Sequence, residues 1–341
     1  MKTRQALGVA AAAGACAFAL SRFARSSRDV DFDGASVLII GGSRGLGLEL
    51  ARQFGAEGAH VTIAARDPRE LERARIDLQE RGCSAATIIC DVRDRTQVVR
   101  VVDQVARERG GLDVLVNDAG IIQIGPIDHM TVDDFEDAMA THFWGPLFAM
   151  LAALPHMRRA GARRIVNISS IGGKLAVPHL LPYSASKFAL TGLSEGVRAE
   201  LAREGISVTT VIPGLMRTGS TYNARFKGKH RWEFAWSHLA SSVPGLSIEA
   251  SKAARQIIEA CRSGAPELII TPVARIAVAM KALAPSFVAG LMATANRLLP
   301  SGNQVDGDEA KSGWQSVSRL VPSVLSTLMD RAARRNNEVP T

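Results

Sequence analysis

Seven short apolar runs, each followed by a segment of helical character, constrain this chain more than any other feature. They read SVLII (36–40), HVTIAA (60–65), ATIICDV (86–92), DVLVND (113–118), RIVNIS (164–169), SVTTVIP (207–213) and ELIIT (267–271). A strand with one wet face alternates apolar and polar residues, whereas these runs are apolar nearly throughout, so both faces must be covered. The segments between them, such as LGLELARQFGAEG after the first run, carry helical spacing. Strand–helix alternation of this kind builds parallel strands joined by right-handed crossovers. The predicted class is α/β: a doubly wound, seven-stranded parallel sheet whose ligand sits at the carboxyl ends of the strands.

The sheet accounts for residues 34–272. Residues 1–33 hold an apolar stretch, ALGVAAAAGACAFAL (6–20), between Lys2 and Arg4 on one side and Arg22 on the other. It is shorter than the ~20 residues a spanning helix needs. Its length suits an anchor, a cleaved signal or a packed helix; an anchor on the cytoplasmic face of a membrane is the favoured reading, a cytoplasmic protein the alternative. Residues 273–341 read as a helical extension: apolar helices broken at Pro285, a flexible link SGNQVDGDEAKSG, and another helix from about 315. Packing on the core or on a second subunit competes there with membrane contact.

Apolar and charged fractions of 47% and 22% describe a globular protein. The four cysteines, Cys16, Cys83, Cys90 and Cys261, form no Cys-x-x-Cys, and no metal site is expected. A net charge of +8 is partly carried by the ends (Arg22, Arg25, Arg28; Arg331, Arg334, Arg335) and favours an anionic partner. No nucleic-acid motif accompanies it, so a membrane surface is the expected partner and nucleic acid is not.

IGGSRGLG (40–47) lies between the first strand and its helix, where a phosphate-binding turn belongs. Gly41, Gly45 and Gly47 allow a sharp turn and close approach of a pyrophosphate, with Ser43, Arg44 and Leu46 between them and a helix N-terminus behind. The second strand ends at Ala65, with Arg66 next. An acid there would bind the ribose hydroxyls of NAD, whereas arginines suit the extra phosphate of NADP. With Arg44 and Arg66 and no acid at 65, NADP(H) is expected over NAD(H).

LPYSASKFAL (181–190) holds Tyr183, one of two tyrosines, and Lys187 four positions on. Residues so spaced share a helix face, and the pair alone is weak evidence of chemistry. The motifs taken in order, however, resemble the short-chain dehydrogenase/reductases, Rossmann-type enzymes, over residues 34–272. The glycine turn matches the family's Thr-Gly-x-x-x-Gly-x-Gly with Ile40 in place of threonine. Asp91, followed by Val92, matches the aspartate that caps the adenine. Asn117-Asp118-Ala119-Gly120 matches Asn-Asn-Ala-Gly, with Asp118 replacing an asparagine. Pro213, Gly214 and Thr218 match the segment contacting the nicotinamide carboxamide.

The resemblance gives the tyrosine–lysine pair a role. Ser170 lies 13 residues before Tyr183, the family spacing that puts both hydroxyls over the nicotinamide. It implies Tyr183 as general acid/base, Lys187 lowering the Tyr183 pKa and binding the nicotinamide ribose, and Ser170 bonding the reacting oxygen. An unperturbed tyrosine has a pKa of about 10, and a neighbouring ammonium favours its phenolate. In THFWG (141–145), His142 stands where the family has an asparagine holding a relay water. It is expected either to hold that water or merely to bond backbone.

Residues 218–247 occupy the position of the family's substrate lid and concentrate Tyr222, Phe226, Trp232, Phe234 and Trp236 among basic residues. A lipophilic small-molecule substrate is expected. The leading function is NADP(H)-dependent oxidoreduction of a secondary alcohol or ketone. A 3-oxoacyl-thioester reductase, or a non-catalytic NADP(H)-binding sensor or scaffold, is the alternative. A homodimer or homotetramer is implied by the family.

Overall fold

The computed structural model describes residues 29–158, 163–243, 245–302, 307–317 and 323–339. The apolar stretch 6–20 and Arg22, Arg25 and Arg28 lie outside the described residues. Strands β1 (Ser36–Ile40), β2 (His60–Ala65), β3 (Ala85–Ile89), β4 (Val114–Asn117), β5 (Arg163–Ile168), β6 (Ile206–Pro213) and β7 (Glu267–Ile270) form one sheet. Its order is 3-2-1-4-5-6-7 and every pairing is parallel. The Rossmann-type doubly wound sheet is as expected from the apolar runs, with boundaries shifted by up to three residues.

The period of two along each strand sorts the core. In β1, Val37 and Ile39 face a cluster with Leu48 and Phe54 of α1 (Gly45–Ala56), Leu71 and Leu78 of α2 (Pro68–Glu80), and residues 257–258 further on. Leu38 and Ile40 face the opposite cluster, with Val98 and Val101 of α3 (Arg95–Arg109). α4 (Val132–Met139) precedes α5 (Gly145–Met157), whose Ala149 and Met150 join that second cluster, as does Leu201 at the end of α6 (Leu181–Leu201). α7 (His230–Ser242) is the lid helix, and α8 (Ala250–Arg262) covers the first face. Asp67 and Asp94 cap α2 and α3 by accepting backbone N–H bonds, which fixes where those helices begin.

Two boundaries differ from the sequence reading. Phe32 is fully buried, edge-to-face with Phe54 at 5.0 Å, so the core begins before residue 34. The extension also returns to the body. After α9 (Pro272–Leu283) and α10 (Pro285–Asn296), Lys311–Ser312 pairs antiparallel with Arg225–Phe226 of the lid, inside the stretch expected to be a link. Phe226 and its neighbour pair in turn with Gln123–Ile124. α11 (Ser323–Arg335) sends Met329 and Ala333 into a third cluster with Tyr222, Phe226 and Phe234. Lid and extension therefore share one small core. Among the described residues no helix is long and apolar enough to cross a membrane.

Candidate active site

The order of strands reverses between β1 and β4, and the chain parts there to leave a crevice. The Gly41 N–H donates to the Ala64 carbonyl (2.7 Å) and the Asp118 N–H to the Ile40 carbonyl (2.9 Å), so the loops after β1 and β4 lie side by side. Gly41 has φ +96°, and a Cβ there would come within 2.4 Å of the Ala119 nitrogen. A Cβ on Gly47 would lie 2.2 Å from the Gly41 carbonyl oxygen. These two glycines are required by close packing of turn, helix and neighbouring loop. Arg44, at the N-cap of α1, places no side-chain bond on the helix end. That leaves a backbone cradle suited to phosphate.

A cleft of about 710 Å³ runs from this turn along the strand ends. Of the residues expected from sequence, Gly41, Ser43, Arg44, Gly45, Leu46, Arg66, Val92, Ala119, Gly120, Ser170, Tyr183, Lys187, Pro213, Gly214 and Thr218 line it. Four do not. Gly47 packs beneath the turn. Asn117 is buried and donates to Asn167 (2.8 Å), which donates to Ser194 (3.0 Å), tying β4 to β5 and α6. Asp91 turns away to form a fork with Arg93 (2.7 Å), which also holds Asp137 (2.6 Å). The fourth is His142.

Ser170, Tyr183 and Lys187 meet at one end of the cleft. Ser170 closes β5 and accepts the Gly172 N–H at 3.0 Å, with its hydroxyl bonded to Tyr183. Tyr183 and Lys187 lie one turn apart near the start of α6, set by Pro182 in its first turn. The Lys187 ammonium donates to the Ile168 carbonyl at 2.7 Å and lies 5.7 Å from the Tyr183 ring centre. The electrostatics correct one expectation. Burial pushes the Tyr183 phenol above its ordinary value; the Ser170 bond pulls it down and Asp118 pushes it further up. Burial lowers the Lys187 ammonium to about 8, with Asp118 holding it up. Burial raises the Asp118 carboxyl to about 8 against the pull of Lys187 and the Gly47 N–H. The lysine's charge is thus shared with an acid that the family's asparagine would not supply.

His142 sits on one turn of π-helix, Ala140–Trp144, between α4 and α5. Pro146 lacks the N–H that would bond the His142 carbonyl, and the Gly145 N–H reaches back five residues to Ala140. The widened turn swings the imidazole inward to full burial, edge-on to the Tyr183 ring at 5.3 Å. Its Nε2 accepts the Ile121 N–H at 3.1 Å, so Nδ1 carries the proton and donates to Ser186 Oγ at 2.7 Å. Burial and then Lys187 push its pKa well below the ordinary value, and the ring is neutral. Both nitrogens are engaged. The expectation of a histidine holding a relay water gives way to its alternative, a histidine bonded to backbone that supports Tyr183.

The lid aromatics also differ from expectation. Tyr222, Phe226 and Phe234 are buried, with Tyr222 stacked on Trp314 of the extension at 4.3 Å and bonded to Asp330. Trp232 is exposed. None of the five lines the cleft, whose wall near Tyr183 comes instead from Ile121, Ile122, Met216 and Ala224. Among the cleft residues that escaped sequence reading are three with polar side chains near the turn: Glu70, Asn223 and Glu338. Glu70 accepts from both Ser43 (2.9 Å) and Arg44 (3.2 Å). Its place in the first turn of α2 was a usable signal; Glu338, almost three hundred residues from the turn, offered none.

Residues 35–227 match the sequence profile of the short chain dehydrogenase family. The gluconate 5-dehydrogenase of Gluconobacter oxydans is 34% identical over 188 residues, covering 55% of this chain and 73% of that protein. A fatty acyl-CoA reductase of Acinetobacter baylyi is 32% identical over 294 residues, covering 85% of this chain and 94% of that protein. Among solved structures, an actinorhodin polyketide ketoreductase with NADPH superposes with a TM-score of 0.64 at 30% identity, covering 70% of this chain and 97% of that one. Profile, relatives and sheet order agree: the chain belongs to the short-chain dehydrogenase/reductase family of oxidoreductases.

Proposed function

We propose that this oxidoreductase uses NADP(H) in preference to NAD(H) and acts on a lipophilic secondary alcohol or ketone, with Tyr183 as general acid/base. The observation that carries the reading is convergence: Ser170, Tyr183 and Lys187 stand at one end of a cleft whose other end is the glycine turn. When bound, the nicotinamide supplies or accepts the hydride. Ser170 accepts from Gly172 and is bonded to Tyr183, and its hydroxyl can turn to a substrate oxygen placed beside the phenol. Tyr183 gives its proton to that oxygen in reduction and recovers it in oxidation. Lys187 supplies positive charge beside the phenol, and His142 holds the ring edge without titrating. Arg44 and Arg66 at the turn, with Ala65 in place of an acid, support the phosphorylated cofactor. Ile121, Ile122 and Met216 support an apolar substrate.

The names of two relatives favour a second reading. A fatty acyl-CoA reductase and a polyketide ketoreductase are both similar to this chain, so a 3-oxoacyl thioester is the alternative substrate. The test is reductase turnover by the full chain with NADPH and with NADH, against long-chain ketones, 3-oxoacyl thioesters and small polar ketones. NADPH-dependent turnover of a long-chain ketone that Tyr183→Phe removes supports the leading reading. Preference for the thioester replaces the substrate, and tight NADPH binding without turnover on any carbonyl replaces catalysis with sensing.

We also propose that α9 and α10 rest on an anionic membrane surface. Leu283 and Leu298 are each 86% exposed, with Ile276 and Phe287 exposed beside them. From Pro272 to Pro300 the chain has no acidic residue but has Arg275, Lys281 and Arg297. Apolar area with basic flanks suits an interface. Salt-sensitive co-sedimentation with phosphatidylglycerol vesicles, lost in Leu283→Glu/Leu298→Glu, is the expected result. A homo-oligomer that dissociates with the same substitutions would assign the face to a second copy instead.

A further inference from the structure

Residues 336–338 lie against the glycine turn, with Glu338 in the cleft. The Asn336 carbonyl accepts the Gly45 N–H at 2.8 Å, taking the first donor of α1. The Asn337 side chain donates to the Ser43 and Glu70 carbonyls (2.8 and 3.0 Å) and accepts from Arg73 (2.6 Å). Glu338 is buried; its carboxylate accepts from Asn223 at 2.6 Å and stands 3.6 Å from the Arg44 guanidinium. A Cβ on Gly45 would lie 2.8 Å from Glu338 Oε1, so the carboxylate lies directly over the turn. Two of the groups that make this turn attractive to phosphate, the Gly45 N–H and the Arg44 guanidinium, are thus engaged by the protein's own carbonyl and carboxylate.

We propose that Asn336–Glu338 is a built-in competitor for the phosphate site, and that a dinucleotide enters by displacing it. Glu338 is then a specificity-determining residue: while it lies over the turn it repels a phosphate and leaves an uncharged adenosine unaffected. The segment continues directly from α11, which packs on the lid through Met329 and Ala333. Its displacement therefore pulls on the lid and couples cofactor entry to the substrate end of the cleft. The proposal rests on the reading of the glycine turn as the cofactor's phosphate site.

The test is calorimetric titration of NADPH, NADH and adenosine into the full chain, a chain ending at Arg335, and Glu338→Gln. The chain ending at Arg335 keeps all of α11, and the glutamine keeps shape and the Asn223 contact while removing charge. Deletion should tighten NADPH by about tenfold or more, because the displaced contacts include bonds to charged groups. Glu338→Gln should tighten it by a smaller factor, and adenosine should bind all three alike. Equal or weaker NADPH binding by the shortened chain overturns the proposal, since the segment would then be a clasp on the cofactor. Failure of all three to bind either dinucleotide overturns the cofactor reading, and the proposal with it.

Discussion

The backbone N–H of Ile121 donates to Nε2 of His142 at 3.1 Å, and that one bond sets the tautomer of a ring packed edge-on to Tyr183. The proton stays on Nδ1, committed to Ser186, whose hydroxyl donates in turn to the carbonyls of Pro182 and Tyr183 at 2.9 Å. The histidine therefore joins the loop after β4 to the first turn of α6, the turn that carries Tyr183.

A neutral, doubly bonded imidazole does not titrate in the working range. The pH profile of kcat/KM should keep its shape in His142→Asn between about pH 6 and 8, the range where an exposed histidine changes charge. The substitution should instead lower stability by about 1–3 kcal/mol, since a buried donor or acceptor loses its partner. A profile limb in that range, present in wild type and absent in the variant, would return the ring to the proton path.

Tyr183→Phe removes the hydroxyl proposed to donate the proton and keeps the ring that touches His142. General acid–base groups contribute roughly 10²–10⁴ in rate, so kcat should fall by about that factor while NADPH affinity stays near wild type. The measurement is steady-state reduction alongside calorimetric cofactor binding. A large loss of affinity would mean that the phenol mainly builds the cofactor site.

Asp118 raises the pKa of both Tyr183 and Lys187. Its own carboxyl, lifted by burial to about 8, gains charge as pH rises through that value. Asp118→Asn removes the charge, so Tyr183 ionises at lower pH. The rising limb of alcohol oxidation, which needs the phenolate, should move down in pH. An unmoved or upward-shifted limb would mean that the Lys187 ammonium, also losing the support of Asp118, controls the phenol.

What sequence alone conveyed follows from how local each cause is. The seven strands are legible because burial on both faces demands continuous apolar runs, and the glycine turn because close backbone approach tolerates no Cβ. Ser170, Tyr183 and Lys187 are legible because their spacing reflects one strand end and one helix turn. His142's role was not, since it depends on a π-turn and on the N–H of Ile121. The lid aromatics misled for a similar reason: Tyr222 and Phe234 look like pocket walls until Met329 and Ala333 return from the extension to cover them. Glu338 reaches the turn only through the path of the whole chain.

Gly41 gives a sharper test of the cradle. A methyl at φ +96°, 2.4 Å from the Ala119 nitrogen, forces apart the loops after β1 and β4. Gly41→Ala should cost about 1–3 kcal/mol by overpacking, read as a lower urea midpoint, and should abolish NADPH binding. Full binding by a folded Gly41→Ala protein would place the phosphates elsewhere.

The carboxyl of Glu338 carries a pH signature. Burial lifts its pKa from 4.5 to about 7, opposed by Arg44 and the Asn223 bond and reinforced by Glu70. Asp118 also feels this charge, and Arg73 reaches the segment through Asn337. A carboxyl whose folded pKa is raised contributes its full stability below the unfolded value and loses it as pH rises through the folded one. The docked segment is therefore held more firmly at about pH 5 than at about pH 8. Hydrogen exchange at residues 336–339 should quicken, beyond the intrinsic effect of pH, across that interval, and Glu338→Gln should remove the excess. The affinity gain from deleting the segment should be larger at the basic end, where Glu338 carries the charge that repels a phosphate. A gain that shrinks with pH would show that docking strength, and not charge repulsion, dominates the competition.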